Sequence, residues 1–371
     1  MKILTNKIKR VLHFIPGFNF GGIETMFLNW CDMIDKTKIQ FDLLIQTDPN
    51  NPLLDEFKKN GGRVYCIPKI TILGYAKLVL KVKDFFNENN EFISVHSHSD
   101  DKSYLIFKYA KRSGITNRII HIHSSSFGDA RFKFIRKINQ RRAVRLATNF
   151  IAVSRVSALW LYGKKMLQKN KVLYLNNGIE CDKFAFKLEN RIRFKSEMNL
   201  RDNFVIGHIG RFTYAKNHDF IISVFSELLK IKANSILLLI GDGPTKTDIY
   251  EKISKLGLKD NVIMLGFQKD ISKYLHVMDA FLFPSHYEGF PLSLVEAQST
   301  GLACYVSDSV TDEVCLTPLI NFISLKKDPQ YWAKIIADSS ININRELYYD
   351  AIKNAGFDSI DIIKKLVSLY L

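Results

Sequence analysis

The chain has 371 residues, 47% of them hydrophobic and 24% charged, which excludes disorder and reads as an ordinary globular composition of two domains. Lys and Arg number 53 against 37 Asp and Glu, a formal net charge of +16, so an anionic partner is expected, with nucleic acid, an acidic membrane surface and phosphorylated small molecules all eligible. The 5 cysteines are scattered without a C-x-x-C pair, which argues against structural zinc and for a reducing compartment. No run reaches the ~18 apolar residues of a membrane-spanning helix.

In chain order, "RVLHFIPG" at residues 10–17 reads as a buried strand, because its apolar run is too short and interrupted for a secretory leader. "FNFGGIET" follows, with Gly21 and Gly22 opening a helix. Paired glycines let a phosphate approach the backbone, and a plain turn explains them equally well. Further short apolar runs are "FDLLIQT", "FISVHSHS", "RIIHIHSSS", "FIAVSR" and "KVLYLNNG", each ending in polar or glycine residues. Two of them end in H-x-H, with His96 and His98, then His121 and His123. That spacing puts both rings on one face of a strand. A metal site is one reading, but only Asp100 stands near to complete a coordination shell. A polar pocket at adjacent strand ends is the preferred one, with His96 and His121 as satisfied buried histidines. The stretch at 131–145, "RFKFIRKINQRRAVR", has seven basic residues and no acidic one, interleaved with Phe132, Phe134, Ile135 and Ile138. It suits either an anionic membrane surface or a solvated helix face.

Residues 178–203 are polar and basic without a strand pattern and are expected to be a linker. The strand series then restarts with "FVIGHIGRF", "SILLLIGDG", "VIMLGF", "AFLFPS" and "ACYVSD". Strand and helix in alternation predict an α/β class with two doubly wound parallel sheets. Ligands of such sheets bind beyond the carboxyl ends of the strands. There "GHIGRFTYAKNHDF" places Arg211, with Lys216 five residues on. Two cations at a strand end can neutralise a diphosphate, or simply face solvent. "HYEGFPLSLVEA" sets Glu288 and Glu296 eight residues apart. A carboxylate pair fits a glycoside hydrolase or a nucleotide-sugar site. Pro291 suits the first turn of a helix that Gly301 ends. The free N–H groups of Phe290, Leu292 and Ser293 would form an anion site beside both carboxylates. A hydrolase has no need of a phosphate cradle, so the nucleotide-sugar reading is favoured.

In this order the GG loop, the H-x-H pairs, "NNGIE", G-R-x4-K, "GDGP" and "FLFPSHYEGFPLSLVEA" resemble the family-4 retaining glycosyltransferases over nearly the whole chain. The nearest likeness is to those that build bacterial capsule, exopolysaccharide or lipopolysaccharide. The resemblance implies a GT-B fold, two Rossmann-like domains facing across a cleft. It puts an acceptor domain at 1–190, a nucleotide-sugar domain at 191–351, and a last helix at 352–371 packed back on the first domain. It further implies that Arg211 and Lys216 bind the donor's diphosphate, that Glu296 holds the ribose, and that Glu288 contacts the donor sugar. Gly210, Gly289, Phe290, Pro291 and Leu292 would line the donor site, and Gly22, with Gly21, would approach the diphosphate. His123 would stand at the sugar end with Ser124, His98 being its alternative.

The function expected is transfer of a sugar, with retention by front-face attack, from a nucleoside diphosphate sugar, UDP favoured over GDP. A saccharide or a lipid-linked saccharide, with polyprenyl as the lipid the resemblance suggests, would be the acceptor. The resemblance implies that no metal or other cofactor is needed, and the absence of D-x-D from the sequence agrees. Cytoplasmic placement at the inner face of an anionic membrane is expected, and nucleic-acid binding is not, since no recognised module appears. The rival is a non-catalytic binding protein of the same fold. It is disfavoured because the Arg, Lys and both Glu positions are filled.

Overall fold

The computed structural model describes residues 8–18, 22–47, 52–69, 74–124, 132–339 and 344–371. Gly21 and Arg131 lie outside them. The chain divides into two compact units, the first made of 1–178 and 359–371, the second of 179–358.

The first unit contains β1 (Lys9–Phe14), β2 (Ile39–Ile45), β3 (Val64–Cys66), β4 (Phe92–Ser97), β5 (Asn117–Ile122), β6 (Asn149–Ala152) and β7 (Val172–Tyr174). They form one sheet in the order β3-β2-β1-β4-β5-β6-β7, every pair parallel. Successive side chains of a strand point to opposite faces. Leu12, Phe14, Val95, Ile120 and Ile122 therefore pack into one core, and Val11, Ile119 and Ile151 into another. The helix Ser359–Tyr370 closes this second core with Ile362, Ile363, Leu366 and Tyr370. Gly178 is needed beneath it, because a Cβ there would stand 2.5 Å from the Ile362 side chain.

The second unit contains β8 (Phe204–Ile209), β9 (Ser235–Ile240), β10 (Val262–Gly266), β11 (Ala280–Phe283), β12 (Ala303–Ser307) and β13 (Ile320–Ile323). Their order is β10-β9-β8-β11-β12-β13, all parallel, with a core on each face. Among the described residues all five cysteines are free, and no helix is long and apolar enough to cross a membrane.

The first boundary falls at Gly178/Ile179 instead of at residue 190. The segment expected to be a linker is mostly helix, Cys181–Phe184 and Leu188–Glu197, and Cys181 and Phe184 are buried in the second unit's core. Its basic residues misled because they are used internally. Arg191 donates to the carbonyls of His276, Val277 and Met278 at 3.1, 3.0 and 3.1 Å and pairs with Asp279. Lys195 donates to the Asn203 carbonyl at 2.7 Å. The second boundary falls at 358/359 rather than 351/352, because Ile352 and Phe357 remain in the second unit's core.

Leu366 is fully buried, so Leu366→Ala is expected to cost about 2–5 kcal/mol through lost transfer energy and the cavity left behind. Chemical denaturation of the purified variant measures it.

Candidate functional site

In the second unit the exits of β8, β9 and β11 converge. Phe212 N–H donates to the Asp242 carbonyl at 3.0 Å, and Gly241 N–H donates to the Gly266 carbonyl at 2.9 Å. Side chains would forbid this approach. A Cβ on Gly241, whose φ is +135°, would sit 2.1 Å from the Gly210 carbonyl oxygen, and one on Gly243 2.3 Å from that of Phe212. The β8 exit is tied to the β11 exit by His286 N–H donating to the Ala215 carbonyl at 2.8 Å. Asn217 Nδ2 donates to the Pro284 carbonyl at 3.1 Å, and the Tyr214 and His286 rings stack at 4.5 Å.

These ties bring Lys216 and Glu288 together, with Nζ 2.7 Å from Oε1 and both side chains largely buried. The ammonium also lies 4.7 Å from the centre of the Phe283 ring. Gly210 makes room for the lysine stem, since a Cβ there would be 3.2 Å from Lys216 Cδ and Cε. Arg211 is exposed on the same loop and makes no ion pair among the described residues. Gly289 has open space where a Cβ would be, and Phe290 stacks on Phe357 at 5.5 Å.

Glu296 stands in the second turn of the helix Leu292–Ser299. Pro291 precedes this helix as its cap, one position earlier than expected, with extended backbone and no side chain capping the helix. Leu294 N–H is taken by the Pro291 carbonyl at 3.1 Å, so the N–H groups of Leu292, which opens the helix, and of Ser293 are the ones left for an anion. Burial pushes the Glu296 carboxyl up to about 7, with Lys183 pulling it partly back. No hydrogen-bond partner for that carboxyl is found among the described residues. A half-buried carboxyl with a displaced titration is a common mark of a functional position.

In the first unit, Gly22 begins the helix Gly22–Met33 with open space around its missing Cβ. His123 is half-buried and Ser124 exposed just beyond β5. His98 is 6% exposed, and both its ring nitrogens are engaged: Nδ1 is 3.0 Å from His123 Nε2 and Nε2 is 3.0 Å from His13 Nδ1. A sugar would have to break one of those bonds to reach a nitrogen of His98, so its place is behind His123 rather than in a sugar pocket. His96 and His121 are fully buried. His96 is bonded to Tyr370 through Nδ1 and lies 3.3 Å from His121 Nδ1 through Nε2. Burial holds the five rings far toward the neutral form, His13 and His123 at about 3. Nitrogens of His13, His96 and His98, and of His98, His121 and His123, lie within 4.8 Å of one another. Among the described residues no carboxylate or thiolate joins them, and His96 stacks on His98. Sequence reasoning missed His13 and Tyr370, which no motif links to H-x-H. The signal available was period two, since His13 sits on a strand beside the one carrying His96.

The basic stretch forms the helix Lys133–Leu146, with Gln140 and Ala143 turned inward. Phe132, Phe134 and Ile135 are 60%, 78% and 55% exposed at its start. Arg136 is tied to Asp101 at 3.0 Å, and Lys137 lies over the Trp160 ring.

The carboxyl-end loops of the second sheet thus gather cations, carboxylates and a helix without a side-chain cap, and the chain belongs to the glycosyl transferases of group 1, whose family model matches residues 189–353. Its fold is GT-B. It is 32% identical to EpsF of Bacillus subtilis (strain 168), a glycosyltransferase by name, over 98% of this chain and 96% of that protein. It is 24% identical to the UDP-Gal:alpha-D-GlcNAc-diphosphoundecaprenol alpha-1,3-galactosyltransferase of Escherichia coli, over 100% of this chain and 98% of that one. Among solved structures, HepE of Anabaena in complex with UDP is similar with a TM-score of 0.75 and 18% identity, covering 97% of this chain and 99% of that chain.

Because the Glu296 carboxyl titrates higher when folded than when unfolded, its contribution to stability is present in full below the unfolded value near 4.5 and is lost as pH rises through about 7. Glu296→Gln removes that loss. The variant is expected to match the parent near about pH 4 and to exceed it by about 1–3 kcal/mol at about pH 8, measured by denaturant unfolding without ligand.

Proposed function

We propose that this glycosyltransferase moves a sugar from a UDP-sugar to a polyprenyl-diphosphate-linked saccharide, with retained anomeric configuration and without a metal ion, in bacterial surface polysaccharide synthesis. The observation that carries the reading is the Lys216–Glu288 pair on the unit that also holds Arg211, the helix at Leu292 without a side-chain cap, and the buried carboxyl of Glu296. A diphosphate needs cations and N–H donors, and the flanking hydroxyls of ribose and sugar need carboxylate acceptors. In this assignment Arg211, Lys216 and the N–H groups of Leu292 and Ser293 take the diphosphate. Glu296 takes the ribose hydroxyls, and Glu288, with the backbone of Gly289 and Phe290, takes the sugar. Gly22 and His123 are the corresponding candidates of the first unit. UDP is favoured by the Escherichia coli relative's named donor and by the UDP-bound structural neighbour, and the lipid-linked acceptor by the same relative's name.

Bond making and breaking then need little covalent help from the protein. The acceptor oxygen attacks the anomeric carbon on the face from which the diphosphate departs. The departing phosphate oxygen takes the acceptor's proton, and Arg211 and Lys216 neutralise the charge that a divalent ion would otherwise meet. Work on the inner face of the membrane follows from a donor made in the cytoplasm and an acceptor anchored in lipid. The exposed Phe132, Phe134 and Ile135 beside Lys133 and Arg141 suit a surface of anionic headgroups.

Thermal unfolding against UDP-, GDP- and ADP-sugars in EDTA tests the donor site. One UDP-sugar is expected to stabilise the parent by about 2.7 kcal/mol at a hundredfold excess over its dissociation constant and to leave Arg211→Ala unmoved. Stabilisation by none of them at millimolar concentration would favour the non-catalytic alternative. Product anomer, read by proton NMR coupling, decides retention. Co-sedimentation with vesicles containing phosphatidylglycerol is expected for the parent at low salt, weakening at high salt, and to fall severalfold in Phe134→Ser. Equal sedimentation of the two proteins would remove this helix from the membrane contact.

A further inference from the structure

Two buried histidines of the second unit take no part in the assignment above. His208 is fully buried on β8, and His218 is 2% exposed at the start of the helix His218–Ile231. Their rings meet edge to face with centres 4.9 Å apart. Pairing of β8 with β11 stops at Gly207 and Phe281, and the next carbonyl of β11, that of Leu282, is taken by His208 Nδ1 at 2.8 Å. A carbonyl only accepts, so Nδ1 carries the proton, and the neutral imidazole then has a bare lone pair on Nε2. Burial, then the nearness of His218 and Lys216, holds the ring far toward that neutral form.

His208 Nε2 has no hydrogen-bond partner among the described residues. Gly210, two residues on, shows where that lone pair points. A Cβ at Gly210 would be 2.8 Å from His208 Nε2 and 3.2 Å from Lys216 Cδ and Cε. The lone pair and the lysine stem thus border one slot, which any side chain at 210 would fill. The Lys216 ammonium, one bond beyond Cε, has three N–H donors. Among the described residues it meets Glu288 Oε1 and the face of the Phe283 ring. A buried acceptor without a donor and a largely buried donor with hydrogens to spare therefore lie side by side, and each costs free energy until it is satisfied.

We propose that His208 is a positioning residue for Lys216: its Nε2 is a second station for the ammonium, which leaves Glu288 for His208 when the donor sugar's hydroxyls claim the carboxylate. Rotation about the last bonds of the lysine stem carries Nζ from one station to the other. A carboxylate that stays bound to an ammonium is a poor acceptor for sugar hydroxyls, and a largely buried ammonium stripped of its partner is strongly disfavoured. The neutral ring answers both needs, because it accepts a hydrogen bond without cancelling the charge that the diphosphate requires. The consequence for turnover rests on the glycosyl-transfer reading above. The two stations of Lys216 do not.

The test is long-range nitrogen–proton NMR of the full chain labelled in histidine, without ligand, on the parent, on Glu288→Ala, and on Glu288→Ala combined with Lys216→Met. The His208 signals are assigned by their loss in His208→Gln. In the parent, His208 is expected to be neutral with its proton on Nδ1 and Nε2 unbonded. In Glu288→Ala the released ammonium should turn to His208 and move the Nε2 resonance to that of a hydrogen-bonded acceptor, and the added Lys216→Met should return it. A proton on Nε2 in the parent overturns the proposal, as does an Nε2 resonance that stays unmoved in Glu288→Ala or moves equally in the double variant. In turnover, His208→Phe is expected to raise the KM for the UDP-sugar about ten- to a hundredfold with inhibition by UDP little changed, because UDP has no sugar for which Glu288 must be freed. His208→Gln keeps an acceptor and should restore part of that loss. Equal weakening of UDP and UDP-sugar in His208→Phe marks a merely structural role and also overturns the proposal. Should His208→Phe fail to fold, the Glu288 and Lys216 variants decide alone. If the parent turns over no UDP-sugar, the transfer reading falls, and the spectra still decide the two stations.

Discussion

Parallel pairing is the constraint on which the rest depends. When every strand of a sheet runs the same way, all carboxyl ends lie along one edge, and whatever follows the last paired residue is delivered there. In the second unit this edge is tightened by backbone touching backbone. Gly241 and Gly243 let the β9 exit lie against the carbonyls of Gly210 and Phe212, and His286 binds the β11 exit to Ala215. The ammonium of Lys216 reaches the carboxylate of Glu288 because those loops cannot spread apart. In the first unit the same edge carries five histidines beside the Arg136–Asp101 pair, and much of the polarity there is managed by neutral rings bonding to one another.

The formal excess of +16 overstates the positive charge on offer to a ligand. Several cations are consumed in closing the ends of helices and strands. Arg118 donates to the carbonyls of Ile115, Thr116 and Leu146 at 2.6, 3.0 and 2.7 Å. Arg345 donates to those of Leu275, Met278 and Thr300, each at 2.9 Å. Arg191 serves three carbonyls of its own. A guanidinium suits this work because it presents several donors in a rigid plane and never loses its charge. Arg211, exposed at a strand end, is of another kind.

How much was legible in the sequence varies with the physics of each element. Buried parallel strands are continuous apolar runs, and eleven of them were readable as such. The two that escaped, β3 and β13, are the edge strands Val64–Cys66 and Ile320–Ile323, short and partly exposed. Edges need no apolar run on both faces. The boundary near residue 190 was misjudged because Arg191 and Lys195 read as solvated charge while their chemistry is internal. At the candidate site, the spacing of Glu288 and Glu296 reported a loop and then a helix, which is local information. The partnership of Lys216 with Glu288 joins residues far apart in sequence and needed the fold. So did the bonded histidines of the first unit, where His13 and Tyr370 come from opposite ends of the chain.

The helix Ser359–Tyr370 has a consequence for the order in which the protein acquires its structure. It completes the core beneath the first sheet and supplies the Tyr370 hydroxyl that holds His96, yet the whole second unit, 179–358, is synthesised before it. Chains emerge from the ribosome amino end first, and domains generally fold as units as they appear. The first unit therefore waits with an open hydrophobic face while the second is made, and is sealed only after the second has had time to fold. Birth order and completion order are reversed, and the first unit is the one that most needs protection from aggregation during synthesis.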